Sequence, residues 1–440
     1  MASTMEYRPS YEIIVVGAGI SGLYATRELL RQQPGLRIAL AERYKGLGGR
    51  TYSYSPKGAA FEGIQWEMGA GRIHKDHNLV MGLLKEYGLT WVPISSDMTY
   101  LRRGEEPVPN LFDSIYIPVF IEPLLKLSPG VLATHTIQQL MIQIHGPEKS
   151  AYILSHFPYR AEVNTLRADI ALKGFIGGEM STDKGYGTVK EGFSELVARM
   201  RAELEDLGAV ILPRHRLMNL EAGPGSSTYL DFEFGREGHG EPHGDITLRA
   251  EKAVILALHK DAVAEIPAFR GWKTLQYLKT QPLLRTYMIF STSAKTPVWF
   301  SDLKRVVTAD RPRYILPMNA VDGTIMISYT DGDTTEPYMT VQKEKGDKAL
   351  SKMIIGDIRK LFPERKIPDP VFFKSHPWET GCTYWIPGGY SAEFQSKAAI
   401  HPFPAKMPSV WLCGESWSMR QCWVEGALEQ TVKMLEALKF

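Results

Sequence analysis

Gly17, Gly19 and Gly22 stand as G-x-G-x-x-G directly behind the apolar run YEIIVV, and Glu42 follows twenty residues after Gly22. Each residue type in that order suits one task around a pyrophosphate. Gly17 permits a tight turn, Gly19 lets the backbone approach the phosphates, and Gly22 lets a helix pack against the strand. A helix starting at Ile20 and Ser21 points its positive end at the same place. Glu42 closes a second apolar strand, with Arg43 behind it, where a carboxylate accepts bonds from ribose hydroxyls. The chemistry is capture of a dinucleotide. A lone glycine fingerprint fits a structural turn equally well, but strand, helix and acid at these offsets favour the ligand.

A second glycine turn, Gly48-Gly49-Arg50-Thr51, comes next. It resembles the GGR-T segment of the FAD-dependent amine oxidase family, whose arginine approaches the flavin pyrophosphate. That resemblance implies FAD rather than NAD. Near the other end, WLCGESWSMRQCWVEGALEQT resembles the family's closing motif. It implies Gly414 and Glu415 at the ribitol, with the Glu415 carboxylate accepting a hydroxyl. It further implies Cys422, Trp423 and Val424 at the flavin, Trp423 standing before its face. A helix start beneath the ring brings positive dipole to the edge that becomes negative on reduction. Outside this motif Trp423 reads as a core tryptophan.

The text Glu67-Met68-Gly69-Ala70-Gly71-Arg72 is similar to a segment of L-amino-acid oxidases that ends in an arginine. The similarity implies Gly69, Ala70 and Gly71 beside the flavin, and Arg72 on a substrate carboxylate. A planar guanidinium suits that task because it offers two parallel donors. TIMISYTDGD resembles the strand whose tyrosine adds a hydrogen bond to the carboxylate, which implies that role for Tyr329. Read alone, Tyr329 is a half-buried strand aromatic. Asp331 either orients a polar group or caps a turn. The texts GAGR and YTD are those of compact L-amino-acid oxidases, bacterial tryptophan oxidases among them.

Two further segments concern the flavin ring. SAKTPVWF resembles the family's lysine-then-tryptophan segment, which implies that Lys295 holds a water at the reactive ring nitrogen and assists reoxidation by dioxygen. A solvated loop lysine is the other reading. WETGCTYWIPGG resembles the segment through which monoamine oxidases bond the flavin by cysteine, but the spacing to the proline differs by one residue. Noncovalent FAD is the expectation, with Cys382 a free thiol. Tyr384 or Trp385 faces the flavin opposite Trp423, since strand alternation allows only one.

The elements that must hold these residues are legible in outline. Residues 1–75, 185–265 and 391–440 are expected to build a discontinuous Rossmann-type FAD-binding domain of the α/β class. Residues 266–390 read as a mixed α+β substrate domain, with one helix near Asp347 to Leu361. Residues 76–184 read as a helical covering part: Leu79 to Tyr87 has helical periodicity, 105–131 is loop and short helices, and Thr136 to Phe157 reads as helix. The loop GREGHGEPHGD holds His239 and His243, and its Gly, Pro and charge favour a solvated hairpin over a metal site. His74 and His77 lack a third ligand in the sequence.

Composition bounds the partners. With 51 Lys+Arg against 49 Asp+Glu the net charge is +2, so no nucleic acid or other polyanion is expected. Three cysteines do not make a disulfide framework. No signal peptide, spanning stretch or membrane tail is recognised, so a soluble cytoplasmic protein, possible as a homodimer, is expected. The expected activity is oxidative deamination of an L-amino acid with a large apolar or aromatic side chain. Its partners are the amino acid and dioxygen; its products are a 2-oxo acid, ammonia and hydrogen peroxide. The alternatives are a monoamine or polyamine oxidase, an amino-acid monooxygenase, and a flavoprotein that binds a ligand without turnover.

Overall fold

The computed structural model describes residues 9–95, 97–109, 122–177, 185–235, 243–293 and 296–438. The apolar run behind the glycine turn forms the strand Ser10–Val16, at the centre of a parallel array. Residues 13–16 pair with 38–41 on one side and with 253–256 on the other. Val210–Pro213 lies outside Ile38–Glu42, and Val410–Leu412 runs parallel to the end of Gly244–Leu256. Gly244–Leu256 is a single strand of 13 residues with two neighbourhoods. Its first half pairs antiparallel with Thr228–Phe234, which pairs with His215–Ala222.

Parallel strands bury both faces and read as apolar runs, which is why IIVV, IALA and AVIL stand out in the sequence. Ile13, Val15, Ile38 and Leu40 pack under the helices Ile20–Gln32, Phe193–Asp206 and Val424–Leu438. Ile14, Val16 and Ala39 face the opposite way, into a cluster with Phe269, Trp385 and Trp417. This is the mixed α/β architecture that the glycine turns require.

A second sheet runs in the order Phe372–Trp385, Leu278–Ile289, Thr324–Asp331, Tyr314–Asn319, Arg305–Thr308, Met98–Leu101 and Val108–Pro109. Alternation along Leu278–Ile289 sends Leu284 and Met288 beneath the helix Glu336–Leu361. Leu283, Tyr287 and Ile289 go to the other face, where the covering helices lie. The helix expected from Asp347 begins eleven residues earlier, at Glu336, and bends at Gly346, whose φ is 74°. Only the half beyond the bend carries the apolar spacing that sequence periodicity detects.

The covering part corrects another expectation. Thr136 to Phe157 is two helices, Ile137–His145 and Pro147–Ser155. Gly146 at φ 78° and Pro147, which lacks an N–H, end one helix and start the next. Arg160–Asn164 and Ala168–Gly177 follow. The periodic segment at Leu79 is the helix Asn78–Glu86. Lys295 and His239 lie outside the described residues. No helix among the described residues is long and apolar enough to cross a membrane.

Candidate cofactor and substrate site

A cavity of about 1450 Å³ runs from the first glycine turn to Tyr329. Pockets for one small ligand span roughly 300–1000 Å³, so this one has room for a dinucleotide and a substrate together. The glycines at its head serve different masters. A Cβ on Gly17 would lie 2.5 Å from the Ala257 carbonyl oxygen, and one on Gly22 only 1.9 Å from that of Gly17. The protein itself demands both. Gly19 has φ −72° and ψ −179°, a conformation open to any residue. Its added Cβ would meet nothing nearer than the Gly48 oxygen at 4.0 Å, yet Gly19 lines the cavity. The space it leaves belongs to a ligand. Ile20 and Ser21 line the same place at the start of a helix that has no side-chain cap. The N–H groups of that first turn are therefore available to an anion.

Glu42 is buried at the cavity edge, with Arg43 beside it. Ala18 N donates to its Oε2 at 2.8 Å and Tyr44 N to its Oε1 at 3.0 Å. Burial raises the Glu42 pKa, and these N–H groups pull it back. The second glycine turn is docked on the first: Gly48 N donates to Ala18 O at 2.8 Å, with φ 106° at Gly48 and 57° at Gly49.

Arg50 closes the cradle. Its Nη2 donates to Glu415 Oε2 at 2.8 Å and its Nη1 to Gly381 O at 2.8 Å. The other Glu415 oxygen accepts from Cys422 N at 2.8 Å and Thr383 N at 3.4 Å. One carboxylate thus ties three distant segments together. The sequence assigned it to a ribitol hydroxyl; the structure gives it protein partners first, while it still lines the cavity beside Gly414. An uncapped helix start, an arginine, a ribose-height acid and an open Gly19 together fit FAD.

Beyond the cradle the segment 69–72 passes between two arginines. A Cβ on Gly69 would lie 2.2 Å from Arg50 O, and one on Gly71 2.8 Å from Arg285 Nη1. Between them Ala70 N donates to Arg50 O at 2.9 Å. The Arg72 guanidinium then enters an aromatic frame, 4.8 Å from the Tyr186 centroid, 5.1 Å from Tyr159 and 5.4 Å from Trp423. Tyr186 stacks on Trp423 at 5.7 Å and 14°. Tyr329 meets the far side of the frame edge-on, its ring 5.7 Å from that of Tyr159. Burial, then the nearby Asp331 charge, pushes the Tyr329 hydroxyl well above its usual range. Tyr384, Cys382, Cys422 and Val424 complete this end of the cavity.

Trp385 is a correction. Its indole Nε1 donates to Ser418 O at 2.9 Å, and it packs under the first sheet, away from the cavity. Alternation places Tyr384 on the cavity side instead. Asp331 stands at the cap of the turn Gly332–Thr335, its N donating to Thr334 Oγ1 at 3.2 Å, and its carboxylate reaches further. Its oxygens accept from Arg160 N and Ala161 N, each at 2.9 Å. It therefore caps a helix from another part of the chain, and burial holds its carboxyl at about 6. That helix brings Glu162 to the cavity three residues after Tyr159. His77 lies edge-on to Trp423 at 5.1 Å, and burial holds it near 3, so it is neutral.

Tyr159, Glu162 and Arg285 are among the cavity residues that escaped the sequence reading. Glu162 lies in the helix Arg160–Asn164 and Tyr159 just before it, in text that matched no motif. Arg285 did leave a signal, a lone charge inside the apolar strand LLRTYMI.

Comparisons with known proteins bear on the whole chain. Residues 20–432 match the model of a family described as flavin containing amine oxidoreductase. A solved putrescine oxidase bound to putrescine superposes with TM-score 0.72 over 98% of this chain and 100% of its own, at 16% identity. A triple variant of putrescine oxidase with redesigned cofactor binding gives TM-score 0.74 over 98% and 99%, also at 16% identity. (S)-6-hydroxynicotine oxidase of Paenarthrobacter nicotinovorans is 33% identical over 94 residues, 21% of each chain. A flavin-containing amine oxidase of Danio rerio is 27% identical over 113 residues, 25% of this chain and 20% of its own. The matched stretch thus spans about a fifth of these two relatives.

Proposed function

The chain belongs to the flavin-containing amine oxidoreductase family, and on that premise we propose that it is an FAD-dependent L-amino-acid oxidase. The observation that carries the reading is Arg72, a guanidinium framed by Tyr159, Tyr186 and Trp423 inside the cavity that holds the cofactor cradle. The rings exclude water, which strengthens the attraction between a guanidinium and a carboxylate. Tyr329 stays un-ionised at any working pH, so its hydroxyl is a donor and adds a hydrogen bond to the same carboxylate. Holding the carboxylate at one end turns the alpha C–H toward the flavin and fixes the approach geometry. Bound FAD supplies the two-electron oxidation of the C–N bond and the reaction with dioxygen. The imino acid then hydrolyses to a 2-oxo acid and ammonia, with hydrogen peroxide as the other product. Tyr159, Tyr314 and Tyr384 around the substrate end favour a large apolar or aromatic side chain.

The proposed partition has 1–75, 185–265 and 391–440 holding FAD, 266–390 with 76–184 shaping the substrate end, and noncovalent FAD. Acid precipitation leaving flavin on the polypeptide at Cys382 would sink the last point. A second reading, an oxidase of amines without a carboxylate, is favoured by Glu162 at the cavity and by the solved structure named above with putrescine bound. Anaerobic mixing of the yellow protein with L-amino acids, D-amino acids and the decarboxylated amines separates the two. Bleaching by L-amino acids alone supports the proposal; bleaching by amines alone replaces it.

A further inference from the structure

Arg285 sits on the strand next to the edge of the second sheet, opposite Tyr329 on one neighbouring strand and His376 on the other. Alternation turns it to the cavity face with Leu283 and Tyr287. Its surroundings are poor in negative charge. Nη1 reaches the Glu67 carbonyl oxygen at a long 3.4 Å, and the buried Nε has no hydrogen-bond partner. Its guanidinium carbon lies 5.4 Å from the Tyr329 ring. Among the described residues no carboxylate comes within ion-pair distance of it. The Glu67 carboxylate, which does feel its charge, is committed to Ser53 and Phe193, and burial pushes it up to about 7. Arg285 lines the cavity, so FAD bound there would reduce its remaining access to water. A desolvated cation without a counter-ion is costly unless an anion arrives.

We propose that Arg285 is the fixed cation that stabilises the negative charge carried by the flavin ring after hydride arrives. The hydride brings two electrons and one proton, so the ring gains one negative charge until a further proton is taken up. Position supports the assignment. Segment 69–72 packs on the Arg50 backbone oxygen at Gly69 and Ala70 and on the Arg285 guanidinium at Gly71. A ring running from the closing motif toward Tyr329 would come close to Arg285, whose guanidinium lies against both Gly71 and the Tyr329 ring. A guanidinium does not lose its proton in proteins, so this site holds its charge at every working pH. Lys295, to which resemblance gave the place beside the ring, is ten residues further along the chain.

The inference needs bound FAD but not the amino-acid reading, so the test uses no amine. Sulfite adds to oxidised flavin and leaves negative charge on the ring. Its affinity for the FAD-loaded protein is read from bleaching of the visible band. Arg285→Gln should weaken sulfite binding about tenfold or more, and its flavin should be harder to reduce in a dye-equilibration titration. Arg285→Lys should stay near wild type at pH 6. It should fall away relative to wild type toward pH 9, because a buried ammonium loses its proton where a guanidinium does not. Unchanged sulfite affinity and reduction in the glutamine variant would overturn the inference. Should that variant fail to hold FAD, a lysine-to-wild-type affinity ratio that is flat with pH overturns it as well.

Discussion

Replacing Gly19 with alanine separates what the fold requires of a glycine from what the cofactor requires. The backbone at Gly19 is extended and admits alanine without strain, and the new methyl would meet no protein atom closer than 4.0 Å. The apo-protein should therefore lose nothing, and restricting the unfolded chain should stabilise it by about 0.4–1 kcal/mol. The same methyl stands where the pyrophosphate must meet the helix start. Losing one charge-assisted hydrogen bond there costs about 1.5–3 kcal/mol, a weakening of FAD binding by roughly 10- to 150-fold. Gly22→Ala is the contrasting case. Its methyl would lie 1.9 Å from a backbone oxygen, which no rotamer relieves. That variant should lose about 3 kcal/mol or more of apo stability. Urea unfolding of the stripped proteins gives the first quantity, and quenching of FAD fluorescence gives the second. A Gly19→Ala protein that binds FAD like the wild type, or that unfolds as readily as Gly22→Ala, would refute the reasoning.

Arg72→Leu should lower kcat/KM for amino acids by about ten- to a hundredfold while leaving FAD affinity alone, by steady-state kinetics and flavin titration. Asp331 is held at about 6 in the fold, above its ordinary value, so the native state binds more protons than the unfolded chain in that window. Its contribution is therefore fully favourable in acid and falls as pH rises from about 4 to about 6, by up to about 3 kcal/mol. Asp331→Asn does not titrate, so unfolding free energies should show the variant gaining on wild type across those pH values; a constant difference would remove the premise. Trp385→Phe should cost about 1–3 kcal/mol of stability through the lost bond to Ser418 yet leave the flavin spectrum unaltered, whereas Tyr384→Ala should shift the spectrum.

What the sequence made legible is what local chemistry dictates. Gly22 and Glu42 act on neighbours within one strand–helix–strand unit, so their spacing alone carries the message. Parallel strands betray themselves as apolar runs. Tyr384 and Trp385 show where that legibility stops. Alternation says that one faces the cavity, but which one depends on a register shift between Gln281 and Leu283 in the paired strand, a property of the partner. Arg285 was visible as a charge among apolar residues, but only the sheet reveals that its face is the cavity face. Tyr159 and Glu162 stand at and in a helix whose start is held by Asp331, 170 and 171 residues away from the N–H groups it caps. No motif records such a partnership. Gly146 and Pro147 were readable as a break, and helical periodicity on both sides masked it.

The Glu415 carboxylate has a bearing on how the molecule is born. Its partners lie 365 residues back at Arg50, 32 back at Thr383 and 7 ahead at Cys422. Contacts of such long range form late, because the loop must close before it is rewarded. An emerging polypeptide can fold its first glycine turn early, yet Arg50 finds its partners only when Gly381 and then Glu415 have left the ribosome. The cradle is thereby divided between residues far apart in the order of synthesis, and a product ending before Gly381 would carry the glycine turns without the contacts that fix Arg50.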